Sequence, residues 1–169
     1  MKFISILIAG TVASLCITGF AIAKQNEKFY GVASISYIQS GPLTRLVSEW
    51  SRVEPISDNP RMLISKHQRN IIYSQIPDIG VMKDQIESHL SWYSGPSCNM
   101  ANICQDIGSG WTFWGLFYAF TESKNLSSPK SFNSRVLHFN SEIKRYCEIS
   151  ISKCDHTQVA HHWQGFKYP

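Results

Sequence analysis

Cys154-Asp155-His156, with His161-His162 five and six residues further on, is the densest set of metal- and proton-handling side chains in this chain. Thiolate with imidazole would suit zinc. That chemistry needs Cys154 as a free thiolate, and the spacing matches no recognised ligand pattern. The histidines therefore read as part of a polar C-terminal segment, and no metal site is expected. Metal-free hydrolysis of a ribonuclease-like kind needs two acid–base groups and a cation beside an anionic substrate. The candidate catalytic residues for it are His156, His161 and His162, with Glu148 and Lys153 as the carboxylate and the cation. His67, His89 and His138 each fall on a predicted helix, where a histidine more often serves the surface or the core. No Gly-x-Ser-x-Gly elbow occurs, and Ile107-Gly-Ser-Gly110 lacks the lysine and spacing of a phosphate loop. No cofactor is expected.

Four cysteines, Cys98, Cys104, Cys147 and Cys154, follow an apolar amino-terminal segment that itself holds Cys16. An even set of cysteines behind an export signal reads as a disulfide framework. Glu148 to Lys153 alternates strictly and reads as a strand. Extended, it would hold Cys147 and Cys154 roughly 23 Å apart; even as helix it would hold them about 10 Å apart, beyond the ~7 Å limit for a bridge. The spacing therefore excludes a Cys147–Cys154 pair. It predicts two bonds tying the 98–104 loop to the 147–154 strand, with the nested arrangement Cys98–Cys154 and Cys104–Cys147 favoured.

Trp111 to Phe120 places six aromatics in ten positions. Stacked rings suit sugar faces and membrane interfaces, but the densest apolar piece of a single domain is first of all core. Asn125-Leu126-Ser127 is a glycosylation sequon, usable at Asn125 only in a eukaryotic source. Lys144-Arg145 is a dibasic pair inside an amphipathic pattern.

The elements that must position these residues follow from punctuation and period. Met1-Lys2 and the apolar run Phe3 to Ala23, closing on Ala21-Ile22-Ala23, form a signal peptide over 1–23, with a retained anchor as the alternative. Leu15 is too bulky for lipidation at Cys16. Residues 24–169 then form one secreted or periplasmic domain. Phe29 to Ile38 predicts a strand. Pro42 opens a helix carrying Leu43, Leu46, Val47, Trp50 and Val53. Asp58-Asn59-Pro60 opens a second, with Leu63, Ile64, His67 and Ile71. Ile79, Met82, Ile86, Leu90 and Tyr93 mark a third, stopped by Gly95-Pro96. Residues 98–110 read as a loop and 111–120 as a helix. Phe132, Val136, Phe139 and Ile143 mark an amphipathic helix running to Tyr146 or Cys147.

The expected fold is thus α+β, mainly α: a single compact domain of about four helices with two or three short strands, stapled by two disulfides. The chain carries 16 Lys and Arg against 12 Asp and Glu, a net charge of +4, with the basic residues scattered. That speaks against nucleic acid as a partner. Membrane contact remains open, with no transmembrane helix in the mature chain. These features point to a non-enzymatic secreted protein that binds a protein or cell-surface partner, in the manner of a toxin, effector or inhibitor/immunity protein. A small ribonuclease-like or cell-wall-directed hydrolase using the C-terminal histidines is the alternative.

Overall fold

Apolar residues at helical spacing, bounded by prolines and caps, fold as helices almost throughout. The computed structural model describes residues 2–31, 33, 41–55, 62–122 and 128–155. In order, its elements are α1 (Lys2–Tyr30), α2 (Pro42–Ser51), α3 (Lys66–Gln75), α4 (Pro77–Gly80), α5 (Lys83–Ser91), α6 (Ser94–Ala101), α7 (Ser109–Thr121) and α8 (Pro129–Ile149). A 3-10 turn at Ile151–Lys153 follows. Among the described residues there is no strand, only an isolated antiparallel bridge between Val53 and Cys154. The fold is all-α, which corrects the α+β expectation.

Where the predicted strands fall on described residues, those residues are helical for a physical reason. Phe29 and Tyr30 complete α1, whose last turns carry a Lys24–Glu27 ion pair at 2.7 Å, and Gly31 ends it at φ +73°. Most of the remaining predicted strand, Val32 and residues 34–38, lies outside the described residues. At 148–153 the alternation has no buried face behind it. Ile149 and Ile151 are 78% and 67% exposed, so burial does not favour extension, and α8 simply continues into the 3-10 turn.

Helix boundaries moved where caps outweighed periodicity. The Asp58-Asn59-Pro60 start lies outside the described residues. α3 begins instead after Ser65, which forms a reciprocal capping box with Gln68. The third predicted helix divides into α4 and α5, because Val81 and Met82 form a turn. Gly80 lets α4 fold tightly onto α3: a Cβ there would lie 2.5 Å from the Tyr73 carbonyl oxygen. Gly95-Pro96 does not stop a helix but sits in the first turn of α6, where proline is tolerated. The 111–120 helix is borne out within α7, and the one at 132–147 within α8.

Two helix pairs carry most of the packing, α2 with α8 and α5 with α7. α7 lies so close to α5 that a Cβ at Gly115 would meet Leu90 Cδ2 at 2.6 Å. Trp50, Leu43 and Leu46 of α2, Leu116 and Phe120 of α7, and Phe139 and Ile143 of α8 are fully buried in one cluster. Each such side chain stabilises the fold by about 1.5–3 kcal/mol through loss of apolar surface to water.

Both disulfides are local, Cys98–Cys104 and Cys147–Cys154. The expected cross-linking of the two segments is overturned, and so is the exclusion of Cys147–Cys154. The distance argument assumed one regular conformation from 147 to 154. α8 ends instead at Ile149, Ser150 leaves the helix, and the 3-10 turn reverses the chain, which brings the two Cα atoms to 5.4 Å. Likewise Asn102 adopts a left-handed φ of 56° after α6 and returns Cys104 to within 4.1 Å of the Cys98 Cα.

α1 is apolar and almost wholly exposed. Its Leu7–Tyr30 stretch is long and apolar enough to cross a membrane, and none of it is buried in the protein. Its end is tied to α8, where Asn133 Nδ2 donates to the Tyr30 carbonyl at 2.6 Å. Cleavage after Ala23 would leave Lys24–Tyr30 attached to the domain.

Candidate functional site

The most strongly coupled polar group is built around Arg69 on α3. Arg69 is 2% exposed. Its Nε and Nη2 donate to the two carboxylate oxygens of Glu87 on α5, at 2.7 and 3.2 Å. Its Nη1 donates to Asp106 Oδ1 at 2.9 Å and to the Ile64 carbonyl at 3.1 Å. Tyr73, one turn further along α3, donates its hydroxyl to Glu87 Oε1 at 2.7 Å. Asp106 also accepts from the backbone N–H of Lys66 and of Ile107, so it caps the start of α3.

Burial acts on all three titrating groups. It opposes the charge on Arg69, but Glu87 and Asp106 outweigh it and hold the guanidinium more firmly protonated than usual. Burial, then Glu87, pushes the Tyr73 phenol upward. Burial would raise Glu87, yet its hydrogen bonds and attraction to Arg69 leave its carboxyl below the usual range. Shifts of this kind also mark catalytic sites. Here the forked guanidinium is already satisfied by protein acceptors. The group pins α3, α5 and the 102–108 loop together.

The histidines on helices each meet a carboxylate from another part of the chain. His138 Nε2 lies 2.9 Å from Asp78 Oδ2, which ties α8 to α4. His89 Nε2 lies 3.0 Å from Glu122 Oε2; its ring is buried under Trp92, and its Nδ1 has no hydrogen-bond partner. His67 Nε2 lies 3.4 Å from Glu54 Oε2, and Lys153 Nζ lies 3.7 Å from the other oxygen of Glu54.

Glu54 holds a positive φ of 37°, unusual for a residue with a side chain. Its backbone N–H donates to the Lys153 carbonyl at 2.7 Å, and Asp155 N donates to the Arg52 carbonyl at 2.9 Å. Gln68 Nε2 donates to the Ser51 and Val53 carbonyls. The Cys147–Cys154 bond and Gln68 together therefore present Glu54 between His67 and Lys153.

Of the residues singled out from sequence, His156, His161, His162 and Asn125 lie outside the described residues. Cys154 is in a disulfide, so it is not a thiolate ligand. No group of three metal-ligating side chains occurs among the described residues. Glu148 and Lys153 are not brought together: Glu148 faces Lys144 at 4.0 Å, while Lys153 faces Glu54. Lys144 and Arg145 lie within α8, both exposed, with Arg145 bonded to Glu142.

The aromatic run divides between two roles. Phe113, Leu116 and Phe120 are buried, as the core reading required. Trp111, Trp114 and Tyr118 fall three, four and seven residues apart on the outward side of α7. Trp114 is 36% exposed and Tyr118 41%. Tyr93, in the turn between α5 and α6, stacks on Trp111 with centroids 5.3 Å apart. Burial, and Tyr118 nearby, push the Tyr93 phenol upward. Trp114 meets Phe117 at 5.8 Å and Tyr118 at 6.4 Å. Trp92, next to Tyr93, is 60% exposed. The result is an aromatic face on α7 and the turn that follows α5. The dense run signalled aromatics but not their division, because an all-round apolar pattern conceals which face is outside.

No protein-family model, no curated protein and no solved structure matches this chain.

Proposed function

We propose that this protein acts outside the cytoplasm by binding a protein partner, with the aromatic face on α7 and the turn that follows α5 as the contact. The two disulfides and the apolar amino-terminal helix are consistent with an extracytoplasmic protein. The observation that carries the binding reading is the exposure of Trp92, Trp114 and Tyr118 beside the Tyr93–Trp111 stack. Tryptophan and tyrosine are the residues that most often dominate binding energy at interfaces, and linked apolar patches on a surface mark interaction sites. A toxin, an effector, an inhibitor or an immunity protein would each act in this way.

A photo-crosslinking residue placed at Trp114, and separately at Lys144 on α8, tests the reading in the native compartment. One defined partner crosslinked from position 114 and not from 144, and then binding in purified form, is the expected result. That partner should bind the Trp111→Ala, Tyr118→Ala variant at least about 100-fold more weakly, the scale of two interface anchors. Equal crosslinking from both faces, or binding unchanged by the double substitution, overturns it.

A small hydrolase is the second reading, favoured by the meeting of His67, Glu54 and Lys153. An imidazole, a carboxylate and a cation on one exposed edge are the minimum for acid–base attack on an anionic ester. Turnover of an RNA or cell-wall substrate that is lost in His67→Ala, and also in His156→Ala, His161→Ala or His162→Ala, would establish it. Absence of turnover in the native protein removes it.

A further inference from the structure

The two disulfides differ in the way that matters for their chemistry. Cys147 and Cys154 are 2% and 8% exposed and belong to the core cluster. Cys104 is exposed and Cys98 half-buried. Thiol–disulfide exchange requires a thiolate to reach a sulfur, so accessibility separates reactive bonds from inert ones. The exposed bond also ties the end of α6 to Cys104, where the chain enters the segment that carries Asp106. Asp106, two positions after Cys104, binds Arg69 and the Lys66 and Ile107 backbone N–H groups.

We propose that Cys98–Cys104 is a redox modification site for an external dithiol, and that its reduction releases Asp106 from Arg69 while the helical core stays folded. A thiolate of the dithiol attacks Cys104 Sγ; the Cys98–Cys104 bond breaks, and Cys98 leaves as a thiolate and takes up a proton. The second thiolate of the dithiol then attacks its own sulfur in the mixed disulfide, releasing Cys104, which is protonated in turn. The dithiol supplies both electrons and ends as a disulfide. The loop keeps other holds. Ser97 Oγ accepts from Gly108 N at 2.7 Å, Ile103 N donates to the Ser97 carbonyl at 3.2 Å, and Ile103 and Ile107 are both 5% exposed. The consequence is therefore local. Asp106 gains freedom, Arg69 retains Glu87 but loses its second carboxylate, and the Lys66 N–H in the first turn of α3 loses its side-chain acceptor while the Ser65–Gln68 cap stays.

The test is graded reduction of the native protein with dithiothreitol, quenched by alkylation and read by peptide mapping. A parallel arm uses a reduced Cys-x-x-Cys protein to tell protein dithiols from small ones. Cys98 and Cys104 should be alkylated on the order of tenfold or more faster than Cys147 and Cys154. In the singly reduced protein, amide hydrogen exchange at Lys66 and Ile107 should quicken while that at Val136 and Ile143 stays slow. Cys98→Ser with Cys104→Ser should reproduce the pattern, and Asp106→Asn should perturb Lys66 exchange in the oxidised protein far more than in that background. Simultaneous reduction of both bonds overturns the proposal. So does selective reduction that leaves exchange at Lys66 and Ile107 unchanged.

Discussion

Arg69 Nη1 donates to Asp106 Oδ1 at 2.9 Å across 37 residues of sequence, inside a site where the arginine side chain is only 3% exposed. Removing one partner of a buried pair strands the other without solvent, which typically costs about 3–5 kcal/mol. Asp106→Ala should lower unfolding free energy by about 3 kcal/mol in urea titration. Arg69→Lys should cost a similar amount, because a lysine cannot fork between Glu87 and Asp106. A loss within about 0.5 kcal/mol for both would show the network to be dispensable.

Stability should fall at both ends of the pH scale for reasons located in the same group. The folded state holds the Glu87 carboxyl below its unfolded value of about 4.3. Its contribution is therefore present above pH ~4.3 and is lost as pH falls through the lower folded value. Tyr73 is shifted the other way. Its stabilising effect is complete below its unfolded pKa of about 10 and declines as pH rises beyond that. Denaturant midpoints measured across pH 2–11 should show both limbs, and Glu87→Gln should flatten the acid limb. An unchanged acid limb in that variant would assign it to other carboxylates.

Gly115→Ala should destabilise the domain by about 1–3 kcal/mol, since the added carbon lies 2.6 Å from Leu90 Cδ2 at the closest approach of α5 and α7. Gly10→Ala, with no atom near its Cβ position, should change nothing measurable. Thermal melts of the two variants decide whether helix approach or helix propensity governs the effect, because propensity alone would make Gly115→Ala stabilising.

The outer and inner residues of α7 should separate cleanly. Trp114→Ala and Tyr118→Ala should each cost at most about 1 kcal/mol, because much of each ring already faces water. Phe113→Ala and Phe120→Ala should each cost about 3–5 kcal/mol. Chemical denaturation of the four variants reads this directly, and a large loss at Trp114 would place that ring in the core instead of on a binding face.

The amphipathic helices were legible in the chain because burial of one face imposes a period that composition reveals. Leu43, Leu46, Val47 and Trp50, and again Val136, Phe139 and Ile143, lie where that period placed them. Local rules also located Pro42 at a helix start, and an even set of cysteines announced bonded pairs. Which cysteines join was decided by two chain reversals, at Asn102 and at Ser150, that no pattern over seven residues discloses. The alternating 148–153 run misled because alternation implies a strand only when a face is buried, and here Ile149 and Ile151 both face solvent. The meetings of Arg69 with Asp106, of His67 with Glu54, and of Tyr93 with Trp111 belong to tertiary structure alone. Charge and ring chemistry mark such residues as able to pair, but only the packing of helices around a shared core brings one particular partner within reach of another.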